Sequence, residues 1–311
     1  MIVNKISGLN YLRALRAALA VAFSLFAASA TADEELPAWI IELPATVEDV
    51  FVADTSRSVF LRYANEDGSL KLVSEGYMSI GQKGAGKERA WDRRTPLGVY
   101  FVVDELDTTR MPEKYGIAAF PLDYPNEWDR LNQRTGDGIW VHGVQQGPDR
   151  RPAYDTDGCI ALPNEDLDVL RDRLRPELTP VIVTREMAFR NAQESGALRA
   201  ALKESLETWI ASLSSGDLHG YLSLYAEEFR YRGISAADWA ALRFRNFEDR
   251  SPIDIEIDEV FLLGDPEVDD LFVSRFRQTI VEGGETRRVV KRLYWKLSPE
   301  GDFRIVAEDN G

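Results

Sequence analysis

The hydrophobic pattern of the chain changes its period near Arg185, and this change limits the folds that the chain can adopt. Before Arg185, short runs alternate apolar and polar residues, which is the two-residue period of half-buried β-strands. Runs at 58–63 and 70–73 flank the turn-forming residues 65–68 and predict a β-hairpin. Further predicted elements are strands at 77–80, 98–103, 139–142 and 181–183, and a helix over 163–174 that Asn164 would cap.

After Arg185 the apolar residues follow helical spacing. Leu198, Leu202, Leu206 and Trp209 fall on one face of a helix that we expect to end at the Ser-Ser-Gly-Asp sequence of 214–217. We therefore predict a mainly β domain at 33–186, with short helices, and an α+β domain at 187–311. The other predicted elements of the second domain are helices at 218–225 and 236–245 and strands at 253–263, 271–281, 289–297 and 303–306.

The N-terminal segment is typical of a secretory signal peptide. Lys5, Arg13 and Arg16 precede the apolar segment 17–28, and the small residues at 28–32 fit a cleavage site. A transmembrane anchor is the alternative, but the apolar segment is short for a membrane span. We expect residues 1–32 to be removed and the mature chain to be periplasmic.

The composition excludes several classes of partner and cofactor. A formal net charge of −15 argues against binding to nucleic acid or to an anionic membrane, since like charges repel. One cysteine and two histidines are too few for a zinc site of the usual ligands. The glycine-rich run 81–87 lacks the Ser or Thr that a phosphate loop needs after its lysine. We therefore predict neither a metal nor a cofactor.

The single cysteine, Cys159, follows His142 by seventeen residues. An imidazole within hydrogen-bond distance can deprotonate a thiol, so this pair is a candidate nucleophile and general base. Thr156, Asp157 and Gly158 form a small turn whose backbone N–H groups could face a developing oxyanion. The alternative is a small buried cysteine beside a core histidine. Export favours the catalytic interpretation, because a lone cysteine cannot form an internal disulfide.

Several ordered segments around this pair resemble those of the L,D-transpeptidases of the YkuD-like type. Their signature is a histidine, a spacer of this length and then Ser/Thr-His-Gly-Cys; this chain has His142-Gly143 and then Thr-Asp-Gly-Cys at 156–159. The resemblance covers about residues 47–186. Four further segments are similar, and the last two are typical of one Gram-negative branch: 77–81 (YMSIG), 94–100 (RTPLGVY), 122–126 (LDYPN) and 134–140 (RTGDGIW).

The resemblance implies a β-sandwich-like catalytic fold and a cysteine-dependent acyl transfer on peptidoglycan stem peptides, by a protein peripheral to the cell wall. Cys159 would attack the carbonyl of the third stem residue and expel the terminal D-alanine. His142 would be the general base, and the amides of Gly158 and Cys159 the oxyanion donors. Two alternatives to amine transfer stay open: hydrolysis on the same scaffold, by an L,D-carboxypeptidase or amidase, and a wall-binding protein without activity.

Two departures from the signature bear on the choice of substrate. Asp157 stands where most members have a histidine, and Ala161 replaces an arginine or asparagine. A carboxylate near Cys159 opposes thiolate formation unless it pairs with a charged imidazole. We therefore hypothesise that Asp157 orients the imidazolium of His142 or receives the incoming amine.

Three further residues are candidate oxyanion or substrate contacts. Thr156 and Gly143 belong to the signature segments, and Arg134 precedes the predicted catalytic strand, where it could bind a stem carboxylate. For Arg134, an ion pair at the surface is the equally weighted alternative.

The α+β domain resembles the SnoaL-like cone fold related to nuclear transport factor 2. The similarity lies in the segment 209–229 and in Lys291, Tyr294 and Trp295. That fold hosts enzymes, binding pockets and dimer interfaces, so the resemblance by itself implies no second activity. We expect an accessory domain that binds a ligand or mediates a homodimer.

Overall fold

The computed structural model describes residues 35–145, 151–248 and 253–311, so the predicted signal peptide at 1–32 lies outside the described residues. The strands are β1 (Glu35–Pro37), β2 (Ile40–Glu42), β3 (Asp49–Asp54), β4 (Val59–Glu66), β5 (Ser69–Tyr77), β6 (Ile80–Gly81), β7 (Gly98–Phe101), β8 (Ala119–Pro121), β9 (Trp140–His142), β10 (Tyr154–Thr156), β11 (Ile160–Ala161), β12 (Pro180–Thr184), β13 (Phe189–Asn191), β14 (Tyr225–Tyr231), β15 (Ile234–Ser235), β16 (Asp254–Gly264), β17 (Leu271–Glu282), β18 (Glu285–Leu297) and β19 (Phe303–Asp309). The α-helices are α1 (Glu127–Leu131), α2 (Asn164–Leu170), α3 (Ala192–Ser215), α4 (Leu218–Ser223) and α5 (Ala236–Glu248), and short 3-10 helices lie at Thr108–Arg110, Glu113–Tyr115 and Arg171–Arg173.

The first domain is built on a five-stranded sheet in the order β5-β4-β3-β12-β7. Strands β4 and β5 are the predicted hairpin, and Asp67 and Gly68 form its turn with φ angles of 53° and 88°. Positive φ at both central residues matches the twist of the two strands, so this prediction is confirmed. Two smaller sheets, β11-β9-β8 and β10-β6, carry the segments around His142 and Cys159. The predicted mainly β fold is therefore confirmed.

The second domain is a seven-stranded sheet in the order β15-β14-β19-β18-β17-β16-β2, with α3 packed against it. Leu202, Leu206 and Trp209 of α3 are buried against Phe276 and Trp295 of the sheet. The four predicted late strands are four of the seven strands of this sheet, β16 to β19, and the predicted α+β arrangement is confirmed. Among the described residues, no helix has the length and apolar character needed to cross a membrane.

The predicted boundary near residue 186 does not separate the two domains cleanly. Strand β2 lies in the first domain by sequence, yet it pairs with β16 in the sheet of the second domain, where Glu42 is the register partner of Leu262. Phe101 of β7 packs edge-on against Phe261 of β16, with ring centroids 5.3 Å apart. Both rings belong to one continuous cluster of buried side chains, so the two domains share part of their core.

An ion-pair cluster also joins the two domains. Arg292 of β18 is buried, and its Nη1 lies 2.6 Å from the carboxylate of Asp123 in the first domain. Its Nε and Nη2 donate to the two carboxylate oxygens of Asp309 at 2.9 Å. A buried charge is tolerated when it is paired and hydrogen-bonded on several sides. The cluster therefore fixes one relative orientation of the domains.

The predicted helix over 163–174 is shorter than expected, and its predicted N-cap is wrong. Helix α2 ends at Leu170, and a 3-10 turn follows. Pro163 occupies the N-cap position and makes no capping hydrogen bond with a side chain. The side chain of Asn164 is instead bonded to the backbone of Val144 on a neighbouring loop. Sequence pattern detects local capping and misses such a long-range contact.

Candidate active site

A cavity of about 680 Å³ opens on the first domain between β9, β10 and the loops before β7 and β8. Cys159, His142, Thr156 and Asp157 line it, so four of the predicted site residues face one space. Among the residues that the structure describes, no group of three or more His, Cys, Asp or Glu side chains is arranged to hold a metal ion.

The pairing of β9 with β11 brings the cysteine and the histidine to this cavity. The two strands are parallel, and Ile160 and Ala161 are the register partners of Val141 and His142. Val141 and Ile160 point into the hydrophobic core, so the alternate residues His142 and Cys159 point away from it. With strands about 4.8 Å apart and a rise of about 3.3 Å per residue, their Cα atoms are roughly 8 Å apart.

His142 is buried and held in one tautomer. Its Nδ1 forms a short hydrogen bond with the carbonyl oxygen of Gly143, and a carbonyl can only accept. Nδ1 therefore carries the proton of the neutral ring, and Nε2 is left as the basic nitrogen. The pKa of His142 is lowered to about 4, mainly because the ring is buried. The hydrogen bond to Gly143 raises the pKa, and the positive charges of Arg151 and Lys114 lower it. At neutral pH the ring is uncharged and can accept a proton.

The depressed pKa of His142 predicts a pH-dependent stability. Below its ordinary pKa of 6.5 the imidazole of the unfolded chain takes up a proton, whereas the folded ring stays neutral down to about 4. The contribution of His142 to stability is therefore fully present above pH 6.5 and is lost as the pH falls from 6.5 to about 4. Relative to His142→Gln, the wild type is expected to lose about 3 kcal/mol of unfolding free energy between pH 7 and pH 4. Urea unfolding of both proteins measures it; a pH-independent difference would contradict the low pKa.

Cys159 is partly exposed, and its Sγ lies 3.3 Å from the carbonyl oxygen of Gly138. The protein atoms packed around the sulfur raise the pKa of the thiol by desolvation. A backbone hydrogen bond from Trp140 and the charges of Lys114 and Arg151 lower the pKa, and the charge of Asp157 raises it. At neutral pH the cavity therefore holds a neutral thiol and a neutral imidazole. A thiol in this state becomes a strong nucleophile only when a base takes its proton.

Asp157 supplies a prediction about thiol reactivity. Since its carboxylate raises the pKa of Cys159, Asp157→Asn is expected to shift the pH profile of cysteine alkylation to lower pH. Iodoacetamide labelling followed by intact mass measures the profile. Asp172→Asn is the control, because Asp172 is an exposed carboxylate beyond the end of α2. If Asp157→Asn changed neither this profile nor turnover, the hypothesis that Asp157 tunes the site would be wrong.

The turn before Cys159 is ordered by the hydroxyl of Thr156. Its Oγ1 accepts from the amide of Gly158 at 3.1 Å and donates to the carbonyl of Cys159 at 2.7 Å. Gly158 has a φ of 133°, and an added Cβ would lie 2.7 Å from the carbonyl oxygen of Arg94, so only glycine fits. The Gly158 amide predicted as an oxyanion donor is thus bonded within the turn. The amide of Cys159 forms no backbone hydrogen bond within the described ranges.

Gly143 and Arg134 lie outside the cavity lining formed by the described residues. Gly143 contributes its carbonyl to His142, which is a positioning role. The guanidinium of Arg134 lies 3.0 Å from the buried carboxylate of Asp129. This is the ion-pair alternative, so the substrate-carboxylate interpretation of Arg134 is not supported by its position.

Three cavity residues were missed by the sequence prediction. Tyr115 packs edge-on against the ring of His142, with centroids 5.2 Å apart, and also contacts Trp140. Lys114 lies beside it, with Nζ 5.0 Å from the Tyr115 ring centroid, and has no ion-pair partner among the described residues. Arg151 lies in the spacer between the histidine and the cysteine. Lys114 and Tyr115 come from a 3-10 helix far from both motif halves, and a lysine-tyrosine pair alone carries no sequence signal.

Comparison with protein-family models gives a match for each domain. Residues 48–183 match the YkuD family, the L,D-transpeptidase catalytic domain. Residues 201–309 match the Cds6 C-terminal NTF2-like domain. A comparison with curated proteins gave no significant match.

Two solved structures share both domains with this chain. The helical cell shape determining protein Pgp2 of Campylobacter jejuni superposes with a TM-score of 0.74 at 24% identity, over 89% of this chain and 95% of that one. Bd1075 of Bdellovibrio bacteriovorus superposes with a TM-score of 0.73 at 22% identity, over 89% of this chain and 98% of that one. Identities this low show a common fold. Residues 48–183 are therefore a catalytic domain of the YkuD L,D-transpeptidase family, and residues 201–309 are an NTF2-like domain.

Proposed function

We propose that the protein is a periplasmic peptidoglycan L,D-transpeptidase that forms a Cys159 thioester with a stem peptide and transfers it to an amine. The observation that carries this proposal is that a neutral His142, with Nε2 as its basic nitrogen, faces the same cavity as the only thiol of the chain. A base and a nucleophile in one open cavity of a YkuD domain suit acyl transfer. The N-terminal signal-peptide pattern supports export.

The proposed first half-reaction begins when Nε2 of His142 takes the proton of Cys159 as the sulfur attacks the acyl carbon. A tetrahedral intermediate forms, and the amide of Cys159 is the available donor for its oxyanion. The bond from carbon to nitrogen then breaks, and the imidazolium gives its proton to the departing D-alanine amine. An imidazolium of low pKa is a strong acid, so this donation is favourable. The product is a thioester on Cys159.

In the second half-reaction an acceptor amine attacks the thioester carbon. His142 takes the proton of the amine, the bond from carbon to sulfur breaks, and the thiolate recovers a proton from the imidazolium. Asp157 is exposed at the cavity and suits binding of a cationic acceptor amine. Lys114 is suited to the carboxylate of the leaving D-amino acid, because it lines the cavity without an ion-pair partner among the described residues.

Hydrolysis is the second candidate, and Asp157 is the observation that favours it. A carboxylate in place of the family histidine can hold a water molecule near the thioester, which would make the protein an L,D-carboxypeptidase. The two reactions share the first half and differ in the acceptor. A wall-binding role without activity is the third candidate, and it predicts no covalent adduct.

Incubation of the full chain with a tetrapeptide stem tests the proposal. We expect D-alanine release in both the absence and the presence of an amine acceptor, and a cross-linked product with the acceptor present. Release without any cross-linked product would favour the carboxypeptidase. Absence of both release and a carbapenem adduct on Cys159, detected by intact mass, would exclude an acyl enzyme.

A further inference from the structure

We infer that Asn164 is a positioning residue for His142, because its side-chain amide fixes the peptide unit whose carbonyl orients the imidazole. The Oδ1 atom of Asn164 accepts from the amide of Val144 at 3.0 Å. Its Nδ2 donates to the carbonyl of Val144 at 2.8 Å. Both polar ends of the side chain are therefore used on one residue of the loop that follows β9. The effect of Asn164 on the orientation of His142 follows from geometry alone. Its importance for catalysis rests on the proposed function.

The link from Asn164 to His142 runs through one planar peptide. The carbonyl of Gly143 and the amide of Val144 belong to the same peptide unit, and in a trans peptide they point in opposite directions. When Asn164 holds the Val144 N–H on one side, the Gly143 oxygen is directed to the other side, where Nδ1 of His142 donates to it. Rotating this peptide would break both hydrogen bonds together.

The loop around Asn164 leaves room for its amide by lacking side chains. An added Cβ on Gly143 would lie 2.2 Å from Oδ1 of Asn164, and one on Gly116 would lie 2.3 Å from it. Real Cβ contacts are never this close, so the two glycines form a slot that the asparagine amide fills. The amide of Gly143, which belongs to the preceding peptide unit, also donates to the carbonyl of Ala118 at 3.1 Å and restrains Gly143 on its other side.

Asn164 also connects the base to the nucleophile. It begins α2 a few residues after Cys159, and the intervening strand β11 pairs with β9. The amide of Leu162 donates to the carbonyl of His142 at 2.8 Å. The segment 159–164 thus carries the thiol, a backbone hydrogen bond to His142, and the side chain that fixes the Gly143–Val144 peptide. A displacement of about 1 Å between such groups can cost about 10²-fold in rate.

The test uses the full chain with Asn164→Leu, which keeps the volume and removes both hydrogen bonds. Asn126→Leu is the matched control, since Asn126 also accepts from one backbone amide, at 2.9 Å, and donates to one carbonyl, at 3.2 Å, away from the cavity. The first readout is the imidazole tautomer by ¹H–¹⁵N NMR, which two histidines keep simple to assign. The second is the acylation rate of Cys159 by a carbapenem.

We expect Asn164→Leu to change His142 from a single Nδ1–H tautomer to a mixture and to slow acylation about 10²-fold. Asn126→Leu is expected to leave the tautomer unchanged even where it lowers stability. A folded Asn164→Leu protein with the wild-type tautomer would overturn the inference, as would an equal change in Asn126→Leu. If the leucine variant does not fold, Asn164→Ala is judged by the same spectra. Since the tautomer needs no substrate, a changed tautomer with no acylation in any protein would count against the proposed function alone.

Discussion

Replacing Cys159 with alanine is expected to abolish the covalent adduct with a carbapenem and to lower stem-peptide turnover by about 10⁴-fold or more. The thiol is the only sulfur nucleophile of the chain, and no other cysteine can take its place. The side chain is partly exposed and makes only weak hydrogen bonds with the backbone of Gly138 and Trp140, so the substitution leaves the core intact. Loss of activity should therefore come without loss of stability. Intact-mass detection of the adduct and quantification of released D-alanine measure the two effects.

The two histidines provide a matched comparison for this prediction. His142→Ala removes the base and is expected to lower acylation by a factor of about 10²–10⁴. His219 lies on α4, away from the cavity, so His219→Ala is expected to react as the wild type does. Residual turnover in Cys159→Ala near the wild-type rate would mean that another group is the nucleophile. An equal loss in both histidine variants would mean that His142 has no special role.

Phe261→Ala is expected to destabilise both domains by about 3–5 kcal/mol. The ring of Phe261 is fully buried and packs edge-on against Phe101 of the first domain. Its removal leaves a cavity in the cluster that the two domains share, and well-packed interiors relax only in part. Urea unfolding gives the loss of free energy. Phe244→Ala is the control, because that ring is 54% exposed on α5 and its loss should change stability by less than about 0.5 kcal/mol.

Hydrogen exchange distinguishes a core that the two domains share from two independent cores. In Phe261→Ala, the amides of β3 and β12 in the first domain are expected to exchange faster, together with those of β16. These strands carry Val50, Val52 and Ile182, which belong to the shared cluster. Faster exchange confined to β16 would show that the catalytic domain folds independently of its neighbour.

The sequence predicts those parts of the fold in which a regular pattern extends over many consecutive residues. The hairpin of β4 and β5 follows from alternation around a turn, and the long helix α3 follows from its apolar spacing. Strand β2 has only three residues, and its partner lies at the other end of the chain, so its pairing leaves no local pattern. The interface between the domains was therefore not predictable from the sequence.

In the candidate site, too, residues in local motifs were predicted and residues brought in by long-range contacts were missed. Cys159 and His142 stand in an ordered motif, and the pairing of β9 with β11 brings both to one cavity. Tyr115 contacts the imidazole from a short 3-10 helix whose position depends on tertiary packing. Asn164 was misassigned because asparagine before a helix commonly caps it, whereas here a loop distant in sequence offers both a donor and an acceptor. A side chain that bonds only to backbone groups has no partner side chain whose identity could reveal the contact in the sequence.

Strand β2 also bears on how a chain of this kind matures. During synthesis, Ile40 and Ile41 emerge from the ribosome long before β16, which they need in order to be covered. A chain that stops early in the C-terminal domain would keep this apolar segment exposed and would lack the partner of Phe101. Such fragments are expected to aggregate or to be degraded by proteases, and not to accumulate as free catalytic domains. Completion of translation would thereby act as a checkpoint on the appearance of a folded catalytic domain.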